Sequence, residues 1–74
     1  MKKRDPILAA FGRGVRIRRE AKHLTQEALA ERADLDRTYL SDVERGARNP
    51  ALKVIVRLAH ALEVPPAQLM EGVS

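Results

Sequence analysis

Residues 24–50 constrain the fold of this chain more than any other stretch, because two short helix patterns lie there with only a brief turn between them. The stretch reads LTQEALAERADLDRTYLSDVERGARNP. Thr25 and Asp36 each precede a helical pattern, and side chains of this kind cap free backbone N–H groups at helix starts. We therefore predict one helix over 26–33 and a second over 37–45.

The second of these helices carries small polar and basic side chains where a buried helix would carry an apolar face, and Gly46 is its stop signal. These features favour a helix-turn-helix over about residues 25–45, in which one helix braces the unit and the next enters the major groove of DNA. Arg37, Thr38 and Ser41 would then face the bases. Arg37 can bond guanine O6 and N7, and the two hydroxyls can bond a base or a phosphate. The alternative for each is an ordinary solvated position.

The flanking segments predict three more helices and no strands, because apolar residues recur at helical spacing and beta-branched alternation is missing. The first helix is expected over about 6–22, and the fourth and fifth over about 51–62 and 66–71. Gly12 in the first helix would allow another helix to approach closely. The predicted buried stripes are Ile7, Leu8, Phe11 and Val15 in the first helix, and Leu52, Ile55, Leu58, Ala59 and Leu62 in the fourth. We expect one all-α, five-helix domain over residues 1–74.

The composition limits the chemistry that a chain of 74 residues can perform. Cysteine is absent and only two histidines occur, so we expect no disulfide, no metal site, no cofactor and no small-molecule ligand. Without a thiol, paired histidines or a Gly-rich phosphate loop, the chain is not expected to be an enzyme. No apolar run approaches the ~20 residues of a membrane span, and the N-terminus lacks the apolar core of a signal peptide. These features fit a cytoplasmic protein.

The charge of the chain, formally +4, is unevenly spread. Through residue 22, eight basic residues stand against two acidic ones, whereas the remainder has six basic and eight acidic residues. The basic excess indicates a polyanion as partner, although a solvated basic helix would have the same composition. One Tyr and one Phe are too few for a surface that stacks the bases of single-stranded nucleic acid.

Several short motifs add a resemblance to these patterns: Phe11-Gly12, Val15-Arg16-x-x-Arg19, Leu24-Thr25-Gln26-Glu27-x-Leu29-Ala30, Tyr39-Leu40-Ser41, Glu44-Arg45-Gly46 and Arg48-Asn49-Pro50. Together they resemble the phage-repressor (Cro/repressor, xenobiotic-response-element) helix-turn-helix family over about residues 8–70. Within that family the likeness is greatest to the controller proteins of restriction–modification systems. The resemblance implies a lambda-repressor-like five-helix fold and a regulator that binds double-stranded DNA.

The resemblance also implies contacts to the DNA backbone. Gln26 would bind phosphate at the start of helix 2, where backbone N–H groups are exposed as well. Arg48 and Asn49 would contact phosphate beside helix 3, and Arg45 would join them or approach the minor groove. Tyr39 would either lie against the sugar-phosphate backbone or pack on helix 2. Asn49 has the alternative role of capping helix 4.

Other positions are expected to shape the fold around this surface. In the family, an arginine and a glutamate at the positions of Arg19 and Glu44 form a partly buried ion pair between helices 1 and 3, and we expect the same pair here. Asp42 should lie at the duplex edge, where its charge would repel phosphate in wrong registers. His23 and Asp34 stand where relatives often have Gly, so we expect a left-handed backbone at both.

A single helix in one groove reads few base pairs, so we expect a homodimer on a palindromic operator. The apolar residues near the C-terminus exceed the needs of one small core and predict an isologous interface over about 56–72. The predicted interface residues are Val56, His60, Leu62, Val64, Leu69 and Met70. The alternative is that these residues only close the core of the monomer. The sequence assigns no role to Ile17 or Arg18.

The expected function is a restriction–modification controller that activates and represses transcription, with RNA polymerase as a candidate partner. A phage-type repressor and the antitoxin of a toxin–antitoxin pair are alternatives that use the same fold. A protein-interaction module without DNA binding is the alternative from another class, since the C-terminal apolar surface could bind other proteins. Salt-sensitive binding to duplex DNA separates the regulators from that module.

Overall fold

Five helices make up the part of the chain that the computed structural model describes, residues 5–73. They are α1 (Pro6–Ala21), α2 (Gln26–Ala33), α3 (Arg37–Glu44), α4 (Leu52–Ala61) and α5 (Pro66–Leu69), with no strand over this range. The all-α, five-helix prediction is confirmed, although α5 is shorter than predicted. Residues 1–4 and 74, which the predicted domain includes, lie outside the described range. None of the helices within it is long and apolar enough to cross a membrane.

Side-chain caps fix where the first three helices begin, and those of α2 and α3 are the ones that the sequence predicted. Asp5 accepts bonds from two backbone N–H groups of α1, Thr25 from one of α2, and Asp36 from two of α3. The short turn between α2 and α3 has a defined length, because Asp34 ends α2 with left-handed backbone and Asp36 caps the start of α3. α4 begins after Ala51, which makes no side-chain cap bond, so the alternative role of Asn49 as the N-cap of α4 is wrong.

Left-handed backbone ends several helices. The φ angles are 59° at His23 and 56° at Asp34, which confirms both predictions. Glu63 has a φ of 60° after α4, and sequence analysis missed it because Glu is not among the residues enriched in this conformation. Gly46 ends α3 with a φ of 74°, and a Cβ there would lie 2.8 Å from the Cα of Ala9. Position 46 therefore has no room for a side chain.

The core lies between the helices and contains Phe11, Val15, Leu29, Ala30, Ala33, Leu40, Val43, Leu58, Ala59, Leu62 and Leu69. Two members of the predicted stripes are at the surface instead, since Ile7 is 48% exposed and Leu52 is 75% exposed. Each stands in the first turn of its helix, at the edge of a small core. Helical periodicity alone therefore overestimated the length of both buried stripes.

Two of the predicted dimer-interface residues belong to the monomer core. Leu62 is 0% exposed and Leu69 is 1% exposed, so their assignment to a dimer interface is wrong. The reason is that α5 folds back against α4 and α1, which encloses both side chains within one protomer. The alternative reading, that apolar residues near the C-terminus close the core of the monomer, holds for this pair.

α1 and α3 are in close contact at Gly12, as the sequence predicted. A Cβ at this position would lie 2.5 Å from the carbonyl oxygen of Glu44 and closer still to that of Val43. Both oxygens are backbone atoms, so no side-chain rotation could make room. Gly14, one half-turn further along α1, has no atom within 4 Å of the same hypothetical Cβ. Gly12 therefore sets the distance at which α1 holds α3.

Candidate nucleic-acid interface

α3 has one side buried in the core and one side open to the exterior. Leu40 and Val43 anchor the buried side, at 0% and 1% exposure. On the other side Arg37 and Thr38 are exposed in the first turn, and Ser41 is half-buried one turn later. Residues three and four apart share a helix face. The three predicted base-contacting side chains are therefore adjacent on one accessible surface.

The guanidinium of Arg37 is unpaired within the described part of the chain, where no hydrogen bond or ion pair involves its side chain. The capping carboxylate of Asp36 is occupied by the backbone N–H groups of Thr38 and Tyr39, at 3.0 and 3.3 Å. Arg37 thus projects from the start of a capped helix with all its donors available to an external acceptor.

The predicted ion pair between Arg19 and Glu44 is present and is bidentate. Arg19 Nε donates to Glu44 Oε2 at 2.7 Å, and Arg19 Nη2 donates to Glu44 Oε1 at 3.1 Å. The side chains are 11% and 2% exposed. The hydrogen bonds that Arg19 donates to the Glu44 carboxylate raise the pKa of Arg19 above its ordinary value, so the guanidinium stays charged. The pair joins α1 to the last residue of α3 and fixes the direction in which α3 projects.

Two further bonds extend this pair towards α2, and sequence analysis did not predict either. Arg19 Nη1 donates to the backbone oxygen of Leu24 at 2.8 Å, just before α2 begins. Gln26 Nε2 donates to Glu44 Oε1 at 3.0 Å. Gln26, expected only as a phosphate contact, is therefore also tied to the buried carboxylate. A single carboxylate at the end of α3 connects α1, the start of α2 and α3.

A second group of charged residues lies beside the exposed side of α3. Asp42 is paired with Arg45 and with Arg48, whose Nη2 is 3.6 Å from Asp42 Oδ2. The guanidinium of Arg48 also lies over the ring of Tyr39, 5.0 Å from its centroid. Tyr39 is half-buried and packs against the core. We call these residues, Tyr39, Asp42, Arg45 and Arg48, the Asp42 cluster.

Four of the six residues predicted for the dimer interface are at least partly exposed in the protomer. Met70 is 40% exposed and His60 is exposed, while Val56 and Val64 are half-buried. Arg18, which the sequence left without a role, holds α5 in place, because its Nη2 donates to the backbone oxygen of Gln68 at 2.8 Å. Glu71 lies 3.6 Å from the same nitrogen. Ile17, by contrast, is 64% exposed on α1.

Comparison with known proteins gives a consistent result. A family model described as helix-turn-helix matches residues 15–69. The control protein C.BamHI of Bacillus amyloliquefaciens is 47% identical over 66 residues, which cover 88% of this chain and 82% of that protein.

Solved structures agree with the sequence comparison. The restriction–modification controller protein C.AhdI from Aeromonas hydrophila superimposes with a TM-score of 0.83 and 48% identity, over 84% of this chain and 94% of that one. The controller protein C.Esp1396I, solved as a tetramer in complex with its natural 35-base-pair operator, superimposes with a TM-score of 0.84 and 33% identity. That match covers 93% of this chain and 91% of the other.

Proposed function

Because this chain belongs to the helix-turn-helix family, we propose that it is a sequence-specific regulator of transcription that binds a palindromic operator as a homodimer. We further propose that it controls a restriction–modification system, because similar proteins of nearly the same length are named control or controller proteins. The observation that carries the proposal is the exposed first turn of α3, where Arg37 and Thr38 project from a helix whose other side is fixed in the core.

The chemistry of this surface suits the major groove. The planar guanidinium of Arg37 can donate two bonds to guanine O6 and N7, a contact worth about 1–3 kcal/mol of discrimination against other bases. Thr38 offers a methyl group to thymine and a hydroxyl to a base or phosphate. Ser41 is placed to bond either. We assign contacts with the DNA backbone to Gln26, Tyr39, Arg45, Arg48 and Asn49, which flank the base-reading residues.

The proposed dimer would place two copies of α3 on successive turns of the major groove. Half-sites on one side of a duplex are about 34 Å apart. One protomer measures 33 Å along its longest axis and 22 Å along its shortest, so two protomers in contact are of the right size. We place the interface on α5 and the adjoining part of α4, with Met70, Val64, Val56 and His60 as its accessible residues.

Sedimentation at micromolar concentration tests the dimer and its location together. We expect the wild-type chain to sediment as a dimer, and Met70→Glu to shift it to a monomer, because the new charge would be buried against its symmetry mate. Ile17→Glu is the matched control, since Ile17 is also an exposed apolar residue but lies on α1. A monomeric wild type, or dissociation by Ile17→Glu alone, would overturn this interface.

Selection of bound sites from random duplex DNA tests the central proposal. We expect the selected sequences to share an inverted repeat, and binding to weaken steeply as salt rises, with a log–log slope of about −0.9 for each phosphate neutralised. Genes for a nuclease and a methyltransferase beside the coding sequence would support the restriction–modification role. No enrichment and no salt-sensitive binding would favour a protein-interaction module instead.

The remaining parts of the proposal concern partners and location. As an activator the protein would contact RNA polymerase bound beside the operator. We propose no enzymatic activity and no small-molecule effector, and we place the protein in the cytoplasm, where its DNA is accessible. A promoter fusion carrying the selected operator would measure the regulatory effect. Transcription that does not respond to the protein would contradict the regulatory role.

A further inference from the structure

We propose that Arg13, on α1 and outside the helix-turn-helix unit, binds a phosphate of the operator and so extends the DNA-binding surface beyond α2 and α3. The inference rests on the proposed function, because it concerns the same complex with duplex DNA. It goes beyond that function by adding a side chain that is not among the assigned backbone contacts. Three observations carry it: the distribution of charge, the pairing of the basic side chains near α1, and the contact between α1 and α3.

The first observation is that the helix-turn-helix unit has an unfavourable net charge for binding DNA. Residues 24–50 contain four basic and six acidic residues, a net charge of −2. Duplex DNA carries one negative charge per about 1.7 Å of its axis, and basic side chains that neutralise phosphates supply much of the affinity. A net attraction therefore requires positive charge from outside this unit, and residues 1–22 hold eight of the 14 basic residues of the chain.

The second observation is that most basic side chains between residues 5 and 22 already have an acidic partner. Four ion pairs account for them: Arg16–Glu20, Arg18–Glu71, Arg19–Glu44 and Lys22–Glu63. Arg13 is the exception, since it is exposed and makes no hydrogen bond or ion pair within residues 5–73. Its charge is therefore available to an external anion.

The third observation is that Arg13 lies beside the end of α3. Its neighbour Gly12 is in contact with the backbone of Glu44, because a Cβ on Gly12 would lie 2.5 Å from the carbonyl oxygen of Glu44. Ala9 lies against Gly46 in the same way, with its Cα 2.8 Å from the position of a Cβ there. Residues four apart share a helix face, so Arg13 follows Ala9 along the edge of this contact. Arg13 therefore stands beside the turn that ends α3.

In the proposed complex this position is next to the DNA backbone. α3 lies in the major groove, and Arg48 and Asn49, which follow Gly46, are assigned to phosphates beside it. Because Arg13 stands at the same turn, its guanidinium would bind the same strand and continue the row of contacts that these two residues begin. Arginine binds phosphate through charge-assisted hydrogen bonds that carry no base information. Arg13 should therefore add affinity and salt dependence without altering the preference for particular bases.

The test measures binding of Arg13→Gln to the selected duplex over a range of salt concentrations. The log–log salt slope should become shallower by about 0.9 for each protomer, the value for one phosphate, and affinity at about 0.1 M salt should fall about tenfold. Preferences among single-base-pair variants of the duplex should stay as in wild type. Arg13→Lys keeps the positive charge and should retain the wild-type slope and most of the affinity. Thermal unfolding should not change in either variant, because Arg13 is exposed.

Arg32→Gln is the matched control, since it removes the same charge from another exposed arginine. Arg32 is in the last turn of α2, whereas Gln26 begins that helix. It lies near Glu63, because Lys22 chiefly, and Arg32 to a smaller extent, lower the pKa of that carboxyl. Arg32 is thus directed towards the residue that follows α4 and not towards the end of α3. At about 0.1 M salt, charges more than about 10 Å apart are largely screened, so this variant should bind like wild type.

Four results would overturn the inference alone. They are an unchanged slope and affinity in Arg13→Gln, an equal loss in Arg32→Gln, a loss in Arg13→Lys as large as in Arg13→Gln, and an altered base preference or lower thermal midpoint in Arg13→Gln. Failure of the wild-type chain to bind any duplex in a salt-dependent manner would instead overturn the proposed function, and this inference with it.

Discussion

The two sides of α3 differ in how firmly the rest of the molecule fixes them. On the inner side, Gly12 holds the helix backbone against α1, and the Glu44 carboxylate accepts three hydrogen bonds from Arg19 and Gln26. On the outer side, Arg37 and Thr38 are exposed and Arg37 has no partner among residues 5–73. The inner residues decide where α3 points, and we propose that the outer residues decide what it binds.

Because of this difference, we expect that the substitutions that lower the stability of the fold are not the ones that alter the preference for DNA sequence. A change on the inner side should lower the free energy of unfolding and reduce binding to every duplex, because the helix is no longer presented at the same angle. A change on the outer side should leave the fold intact and alter the preferred bases. Three substitutions test the separation and a fourth, at the end of α2, serves as a reference away from α3; they run from the largest expected effect to the smallest.

Glu44→Gln should have the largest effect, because it leaves the guanidinium of Arg19 buried without a counter-charge. Removing one partner of a buried pair destabilises by about 3–5 kcal/mol, which is comparable to the whole stability expected of so small a domain. Urea denaturation followed by circular dichroism would measure the loss. Glu31→Gln is the control, since Glu31 is exposed on α2 and should change stability by less than about 0.5 kcal/mol. Equal effects of the two substitutions would contradict the structural role of the pair.

Gly12→Ala should also destabilise strongly, by about 3 kcal/mol, because the new Cβ collides with backbone oxygens that can move only with α3 itself. Gly14→Ala is its matched control on the same helix. A Cβ at Gly14 meets nothing within 4 Å, and Ala favours a helix over Gly by up to about 1 kcal/mol, so this variant should be slightly more stable. Similar thermal midpoints for the two variants would show that α1 and α3 are not in close contact at this position.

Arg37→Ala should leave unfolding unchanged and lower operator affinity by about 1–3 kcal/mol, with relaxed preference at one base pair of each half-site. Titration of the selected duplex and of its single-base-pair variants measures both effects. A uniform loss over all sequences would instead identify Arg37 as a phosphate contact. A loss of folding stability would break the separation between the two sides of α3.

Asp34→Gly should have the smallest effect, neutral or slightly stabilising. Asp34 already has a φ of 56°, a conformation that Gly adopts without strain, and its side chain accepts no hydrogen bond within the described residues. Chemical denaturation would measure the change, with binding to the selected duplex expected to stay as in wild type. Destabilisation by more than about 1 kcal/mol would contradict the interpretation of Asp34 as a strained helix cap.

Much of the fold was predictable because local rules decide it. Asp5, Thr25 and Asp36 cap helices through contacts within three residues, and the left-handed positions at His23 and Asp34 follow from where helices must end. The Arg19–Glu44 pair was predictable for another reason, since the motifs that surround both residues resemble a family that contains it.

The sequence-based predictions were wrong where residues with the same helical spacing have different surroundings in the folded chain. Helical spacing cannot tell that Leu62 closes the monomer core while Leu52, ten residues earlier on the same predicted stripe, is 75% exposed. Nor does sequence indicate that Gln26 bonds Glu44 or that Asp42 pairs with two arginines, because those contacts depend on the angle between elements. The exposure of Arg37 and Thr38 on α3 was therefore predictable, but the bonds that hold the helix and its neighbouring residues in position were not.

Guanine methylation interference on the selected duplex tests most directly whether the exposed side of α3 reads the major groove. Methylation at N7 blocks the atom that Arg37 is proposed to bond, so we predict loss of wild-type binding at one guanine in each half-site. Arg37→Ala should bind the methylated and unmethylated duplexes equally well. Wild-type binding that tolerates N7 methylation at every guanine, or interference that persists unchanged in Arg37→Ala, would contradict the account.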